Sequence, residues 1–243
     1  MSIDKNTGTV KYEKYHHKNT TLYTASMMKV VFAWFFLEYC YEELNNTVSI
    51  LDEYKEVWWV LDSVKNEDTI TYNALILLMI VISDNTATNI IYKRLTEKLW
   101  DLSAFIGKKF QTYSIQVFDL MDSYSAEYWS WQSNPYEFMK LLQYFFYEFK
   151  HSNYLKEILS KQYIKWRGLR YLDVKNFVSA WNKTGQIDLM INDCWFIETA
   201  DSFMIYTVFC PADNIVEFLY DVENKIYKKI GRIVYKHIHP LLQ

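Results

Sequence analysis

The chain has 243 residues, 51% of them hydrophobic and 23% charged, with 26 basic against 29 acidic side chains and a formal net charge of −3. This apolar, near-neutral composition excludes a disordered chain and offers no electrostatic footprint for nucleic acid or an anionic membrane. Aromatics are abundant (9 Trp, 21 Tyr, 15 Phe) and glycines few (5), and neither G-x-G-x-x-G nor G-x-x-x-x-G-K occurs, which excludes both common phosphate loops.

Residues 2–15 read as a hairpin, with Lys5-Asn6-Thr7-Gly8 as the turn and Val10, Tyr12 and then Tyr15 on the returning strand. From Ser26 to Glu43 the chain is apolar on nearly every side, the pattern of a helix enclosed by the core. Further helices are predicted over 71–81, 86–99, 135–150 and 153–161. Between them, 100–134 is rich in Tyr, Ser, Trp and Asp and reads as a long irregular, functional loop. Strands are predicted at Phe177–Trp181, Gly185–Ile191, Cys194–Glu198 and Phe203–Cys210, separated by polar turns such as Ile191-Asn192-Asp193. Pro211 ends the last of them, and Asn214–Ile238 carries apolar residues at helical spacing. This order predicts an α+β sandwich in which an antiparallel sheet, formed by both chain ends and flanked by helices, lies beside an all-helical lobe. With no linker or repeat, one domain over 1–243 is expected, its sheet lobe at about 1–25 and 175–243 and its helical lobe at about 45–170.

Cys40, Cys194 and Cys210 are widely spaced and odd in number, so neither a disulfide framework nor a metal site is expected. The five histidines have no ligand spacing with acidic or cysteine partners, and the aromatic runs Tyr144–Tyr147 and Trp129–Trp131 read as packing. Val30–Leu37 and Ala74–Ile82 are too short to span a bilayer, which takes about 18 apolar residues. The start Met1-Ser2-Ile3-Asp4 has no charged n-region or apolar h-region, so no secretory signal is expected in this chain.

Three short motifs carry chemistry: Ser26-Met27-Met28-Lys29, Ser83-Asp84-Asn85 and Lys183-Thr184-Gly185. Ser26 sits where a polar loop meets the buried helix, and i, i+3 spacing sets Lys29 on the same face one turn later. Burial disfavours the ammonium form, which fits Lys29 to act as a base on the serine hydroxyl. In this order the motifs resemble the S-x-x-K, S-D-N and K-T-G set of class A β-lactamases and penicillin-binding proteins. Met79–Asn89 is similar to that family's helix-loop-helix at the second motif, Ser2–Gly8 to the turn of its first hairpin, and Ile191-Asn192-Asp193 to the turn after its third motif.

The resemblance implies a serine hydrolase without metal or cofactor, acting on a small β-lactam or a D-alanyl peptide, with Ser26 as the acylated nucleophile and Lys29 as its activating partner. Ser83 would relay a proton to the leaving nitrogen. Asn85 would bind the substrate amide, Lys183 and Thr184 its carboxylate. The backbone N–H groups of Ser26 and Gln186 would form the oxyanion hole, Gly185 would keep the strand clear of substrate, and Trp58 or Trp59 would form an aromatic wall. The family is usually secreted or periplasmic. Its E-x-x-L-N pattern, which holds the carboxylate for deacylation, has no match in 100–134; Asp119 lies closest to the expected place and Glu127 is the alternative. Acylation is therefore expected to be better preserved than deacylation. Gln186 stands where the family has a small residue and is expected to narrow the cleft; a cleft closed by Gln186 or by aromatics of 100–134 would mark a non-catalytic relative with the same fold. The family's N-terminal helix is expected to have no counterpart here, which predicts an apolar stripe on the C-terminal helix that is covered by a partner or left exposed.

Overall fold

The computed structural model describes residues 1–57, 59–66, 68–112, 114–117, 131–147, 149–163, 179–187, 190–211, 228, 229 and 232. Asp119, Glu127 and Trp58 lie outside the described residues. So does most of the expected helix 214–238, of which Lys228, Lys229 and Arg232 are described as helical and exposed.

The first hairpin forms as its sequence dictates. β1 (Ser2–Asp4) and β2 (Val10–Tyr12) pair antiparallel. The Asp4 carboxylate accepts from the N–H groups of Asn6 at 2.8 Å and Thr7 at 3.0 Å, and Gly8 takes φ 71°, a left-handed conformation open to glycine at little cost. β3 (Leu22–Tyr23) then leads into the buried helix. This is not one helix over 26–43: a 3₁₀ turn, Ala25–Met28, precedes α1 (Lys29–Tyr39), and a second turn, Tyr41–Glu43, follows it.

Every residue from Lys29 to Leu37 is fully buried, so α1 is the axis of the core. Much of the aromatic surplus packs around it. Trp34 stacks on Phe145 with centroids 4.3 Å apart and meets Phe110, Tyr144 and Phe149 edge-on, while Phe32 meets Trp131 at 4.9 Å. Such pairs add about 0.5–1.5 kcal/mol each to the burial of their area.

A small ribbon, β4 (Thr47–Ser49) with β5 (Thr69–Thr71), was not signalled by the sequence pattern. α2 (Tyr72–Val81) and α3 (Asn85–Leu99) match the expected helices, as do α5 (Pro135–Tyr147) and α6 (Ser152–Ser160) to within a few residues. The expectation of an irregular 100–134 is corrected in its described parts. α4 (Leu102–Phe110) is capped by the Asp101 carboxylate on Ala104 N–H at 2.9 Å. β6 (Gln116–Val117) and β7 (Trp131–Ser133) then join β3 in a three-stranded sheet.

The main sheet has the order β2-β1-β10-β9-β8, with β8 (Ser179–Ile187), β9 (Met190–Glu198) and β10 (Ser202–Val208) antiparallel throughout. Both chain ends contribute to it, as expected. The expected strand Gly185–Ile191 is divided: β8 runs unbroken through Lys183, Thr184 and Gly185 to Ile187, and Met190 and Ile191 open β9. Ile191-Asn192-Asp193 is not a turn but part of β9. The physical reason is that its polar side chains find partners inside the protein. Asn192 is fully buried, donates from Nδ2 to the Tyr23 carbonyl at 2.8 Å and accepts Cys210 N–H on Oδ1 at 3.1 Å. Asp193 is fully buried too and accepts from Asn182 Nδ2 at 3.3 Å. Asn192→Ala removes a partner from the part-buried Tyr23 carbonyl and from the buried Cys210 N–H, and is expected to cost roughly 2–5 kcal/mol in urea unfolding; a loss below about 1 kcal/mol would contradict this account.

Cys40, Cys194 and Cys210 are buried and free. Among the described residues no helix is long and apolar enough to cross a membrane.

Candidate active site

The 3₁₀ turn, the α2–α3 junction and β8 bring the three motifs to one place. Ser26 is the second residue of the turn, follows Ala25 in a left-handed conformation (φ 48°), and is partly exposed. Ser83 is also left-handed, with φ 65°, because the chain must reverse between α2 and α3. Left-handed non-glycine residues are strained and tend to occur at functional sites. Asp84 holds the junction: its carboxylate caps α3 by accepting from Ala87 N–H at 2.8 Å, and its own N–H donates to the Leu78 carbonyl at 3.1 Å. The aspartate of the second motif thereby places Asn85 in the first turn of α3. The sequence reading gave Asp84 no role, although an Asp directly before a helix is a cap signal.

Lys29 Nζ lies 2.6 Å from the Ser83 carbonyl, 2.6 Å from Asn85 Oδ1 and 3.2 Å from Ser83 Oγ. Lys183 Nζ donates to the same Ser83 Oγ at 3.1 Å and to the Thr184 carbonyl at 2.8 Å. Two lysines thus converge on one hydroxyl. Burial holds Lys29 well below the usual lysine pKa, and the charge of Lys183 pushes it in the same direction, against Asp84 and Glu56. The carbonyl and Asn85 Oδ1 can only accept, so they occupy two N–H groups of Lys29. The third N–H of the ammonium form reaches Ser83 Oγ, the route by which a proton can leave Lys29; in the neutral amine that third position is a lone pair. Among the described residues the hydrogen bonds of Lys29 go to Ser83 and Asn85 and not to Ser26, so the expected lysine–serine pairing is not closed in this geometry. Catalytic hydrogen bonds are often long before substrate binds.

Gly185 also has a packing reason. A Cβ built there would lie 2.7 Å from the Thr24 carbonyl, 3.0 Å from Met27 N and 3.1 Å from Ser26 N. The glycine lets β8 press against the turn that carries Ser26, which also sets Gln186 beside that turn. The Gln186 side chain is exposed. Lys29, Lys183, Thr184 and Asn85 are buried, whereas Ser26, Ser83 and Gln186 reach solvent. The ring of Trp59 has its centroid 5.5 Å from Lys29 Nζ, within cation–π range. Among the described residues no cluster of His, Cys, Asp and Glu is arranged to hold a metal ion.

An antiparallel sheet built from both chain ends, packed on helices whose junction faces an S-x-x-K turn, defines the β-lactamase/transpeptidase-like fold. The chain belongs to the beta-lactamase enzyme family, which matches it over residues 4–238. Among solved structures it is similar to a beta-lactamase from Streptosporangium roseum, with TM-score 0.77 and 18% identity over 98% of this chain and 91% of that one. It is similar to a variant of the ancestral Gram-negative class A beta-lactamase, with TM-score 0.78 and 17% identity over 98% and 91%. A mutant of PBP-A in its acyl-enzyme complex with penicillin G gives TM-score 0.76 and 16% identity over 98% and 89%. At these identities the likeness is one of fold. Comparison with curated proteins returns no match.

Proposed function

We propose that the protein is a serine acyl-transfer hydrolase in which a β-lactam amide acylates Ser26 and the acyl-enzyme is cleared slowly. The observation that carries this reading is the Ser83 hydroxyl held between two buried lysine amines, Lys29 and Lys183. Ser26 Oγ adds to the lactam carbonyl carbon and its proton passes to Lys29, in the neutral form that burial favours. The negative charge on the former carbonyl oxygen lies between the backbone N–H groups of Ser26 and Gln186. As the C–N bond breaks, the proton moves from Lys29 through Ser83 to the departing nitrogen, which returns Lys29 to the neutral form. Asn85, its Oδ1 taken by Lys29, offers Nδ2 to the acyl amide, and Lys183 with Thr184 attracts the substrate carboxylate.

Hydrolysis needs a further base for water. Asp119 or Glu127 is the candidate within 100–134, and the missing E-x-x-L-N pattern supports slow deacylation. The same gap favours a D-alanyl peptidase as the second reading, separable by release of D-alanine from a model peptide. The exposed Gln186 side chain speaks against a relative whose cleft that residue has filled.

Intact-mass measurement after incubation with a penicillin tests the proposal. The wild type is expected to gain the mass of the whole ring-opened drug and hold it, and Ser26→Ala to gain nothing. No adduct on the wild type, or one that survives in Ser26→Ala, overturns the proposal. Rapid turnover of a chromogenic β-lactam would overturn only the slow step.

A further inference from the structure

Besides Asp84, a further acidic residue is buried near the head of α3. Glu56, which belongs to none of the three motifs, is 7% exposed. It lies in a stretch, residues 54–57 and 59–61, that is stitched along the start of α3. The Tyr54 carbonyl accepts from Asn89 Nδ2 at 3.3 Å, Glu56 N–H donates to Thr86 Oγ1 at 2.8 Å, and Leu61 N–H donates to Asp84 Oδ2 at 3.4 Å. The same segment sets the Trp59 ring over Lys29 Nζ. Four buried titratable side chains therefore gather at the head of α3: Lys29, Lys183, Asp84 and Glu56. Protonated Lys29 would stand with the Lys183 ammonium at one hydroxyl, a state that is costly without opposite charge close by. Asp84 spends its carboxylate on the N–H groups of Ala87 and Leu61.

We propose that Glu56 is a positioning residue for the acyl transfer, holding Lys29 by opposite charge and setting the pH above which that lysine accepts the Ser26 proton. The proposal rests on the reading of Ser26 as the acylated group. Among the described residues the charged groups that act on Lys29 are Lys183 from β8, Asp84 from the head of α3 and Glu56 from the stretch before it; Lys183 opposes its protonation and the two carboxylates favour it. Burial is the largest influence and opposes protonation. Removing the Glu56 charge therefore leaves Lys29 neutral to lower pH.

Glu56→Gln keeps the shape and removes the charge. The acid limb of its acylation pH profile is expected to move down by about half to one pH unit, a threefold to tenfold change in proton affinity. A mere packing role would lower the rate at all pH values without moving the limb. In ¹⁵N-lysine-labelled protein, the Lys29 Nζ resonance, assigned by its loss in Lys29→Met, should titrate lower by the same amount. Glu56→Asp should shift both readouts the same way and less, and it carries the test if thermal melting shows that Glu56→Gln does not fold. A limb and a resonance that stay put, or move up, overturn the proposal. Failure of penicillin to acylate the wild type would overturn the Ser26 reading alone, and the resonance would still decide whether Glu56 acts on Lys29.

Discussion

Lys29→Met is expected to be acylated by a penicillin about 10²- to 10⁴-fold more slowly than the parent, the range for loss of a positioned acid–base group. Methionine matches the length of the lysine stem and is content in an apolar core, so the helix should survive. The cost to the fold is the loss of the donor to the Ser83 carbonyl and Asn85 Oδ1, each 2.6 Å away, at about 1–3 kcal/mol apiece. A second signature comes from proton linkage. Burial, then Lys183, lowers the Lys29 pKa well below 10.5 in the folded protein, while the unfolded chain keeps a value near 10.5. Between those values the unfolded state binds more protons, so this lysine makes stability rise with pH across that window. Below the folded value both states are protonated and the slope vanishes. Methionine does not titrate, so urea unfolding at a series of pH values should give the variant a shallower rise. An acylation rate within tenfold of wild type, or an unchanged slope, would contradict the assignment of Lys29 as a buried base.

The motifs were legible because each is short and its chemistry is local to a few residues. Ser26 with Lys29, and Ser83 with Asn85, are set by a single turn or helix start, and the burial of Lys29 followed from its apolar neighbours. What the sequence concealed depends on contacts between distant segments. Asn192 and Asp193 have the composition of a turn, yet Tyr23, Cys210 and Asn182 satisfy them inside or beside the sheet. β4, β5, β6 and β7 are two or three residues long, too short for alternation to mark them. Glu56 gives no local sign that it is buried, because its position depends on Thr86 of α3, 30 residues along the chain. The close approach at Gly185 was not legible either, since only the packing of β8 on the turn shows what a side chain there would strike.

That packing makes Gly185→Ala the second large effect. The three atoms that crowd an added Cβ are all backbone, so no rotamer change relieves the contact. The turn is poorly able to retreat. Thr24 N–H donates to the Trp131 carbonyl at 2.8 Å, its hydroxyl donates to the same oxygen at 3.1 Å, and its own carbonyl accepts Met27 N–H at 3.3 Å. Either β8 moves away or the Ser26 turn is displaced. Both change the distance between Ser26 and Lys183, because Lys183 lies on the strand that would move. Overpacking of this kind costs about 1–3 kcal/mol, and a misplacement near 1 Å is enough to slow a positioned reaction about 10²-fold. The variant should therefore melt lower without any ligand and be acylated about 10²-fold more slowly. If the glycine served only to admit substrate, the alanine protein would melt like the wild type and lose rate in proportion to the bulk of the β-lactam side chain. Thermal melting with acylation rates for a small and a large penicillin separates the two: an unchanged melting temperature would refute the backbone clash.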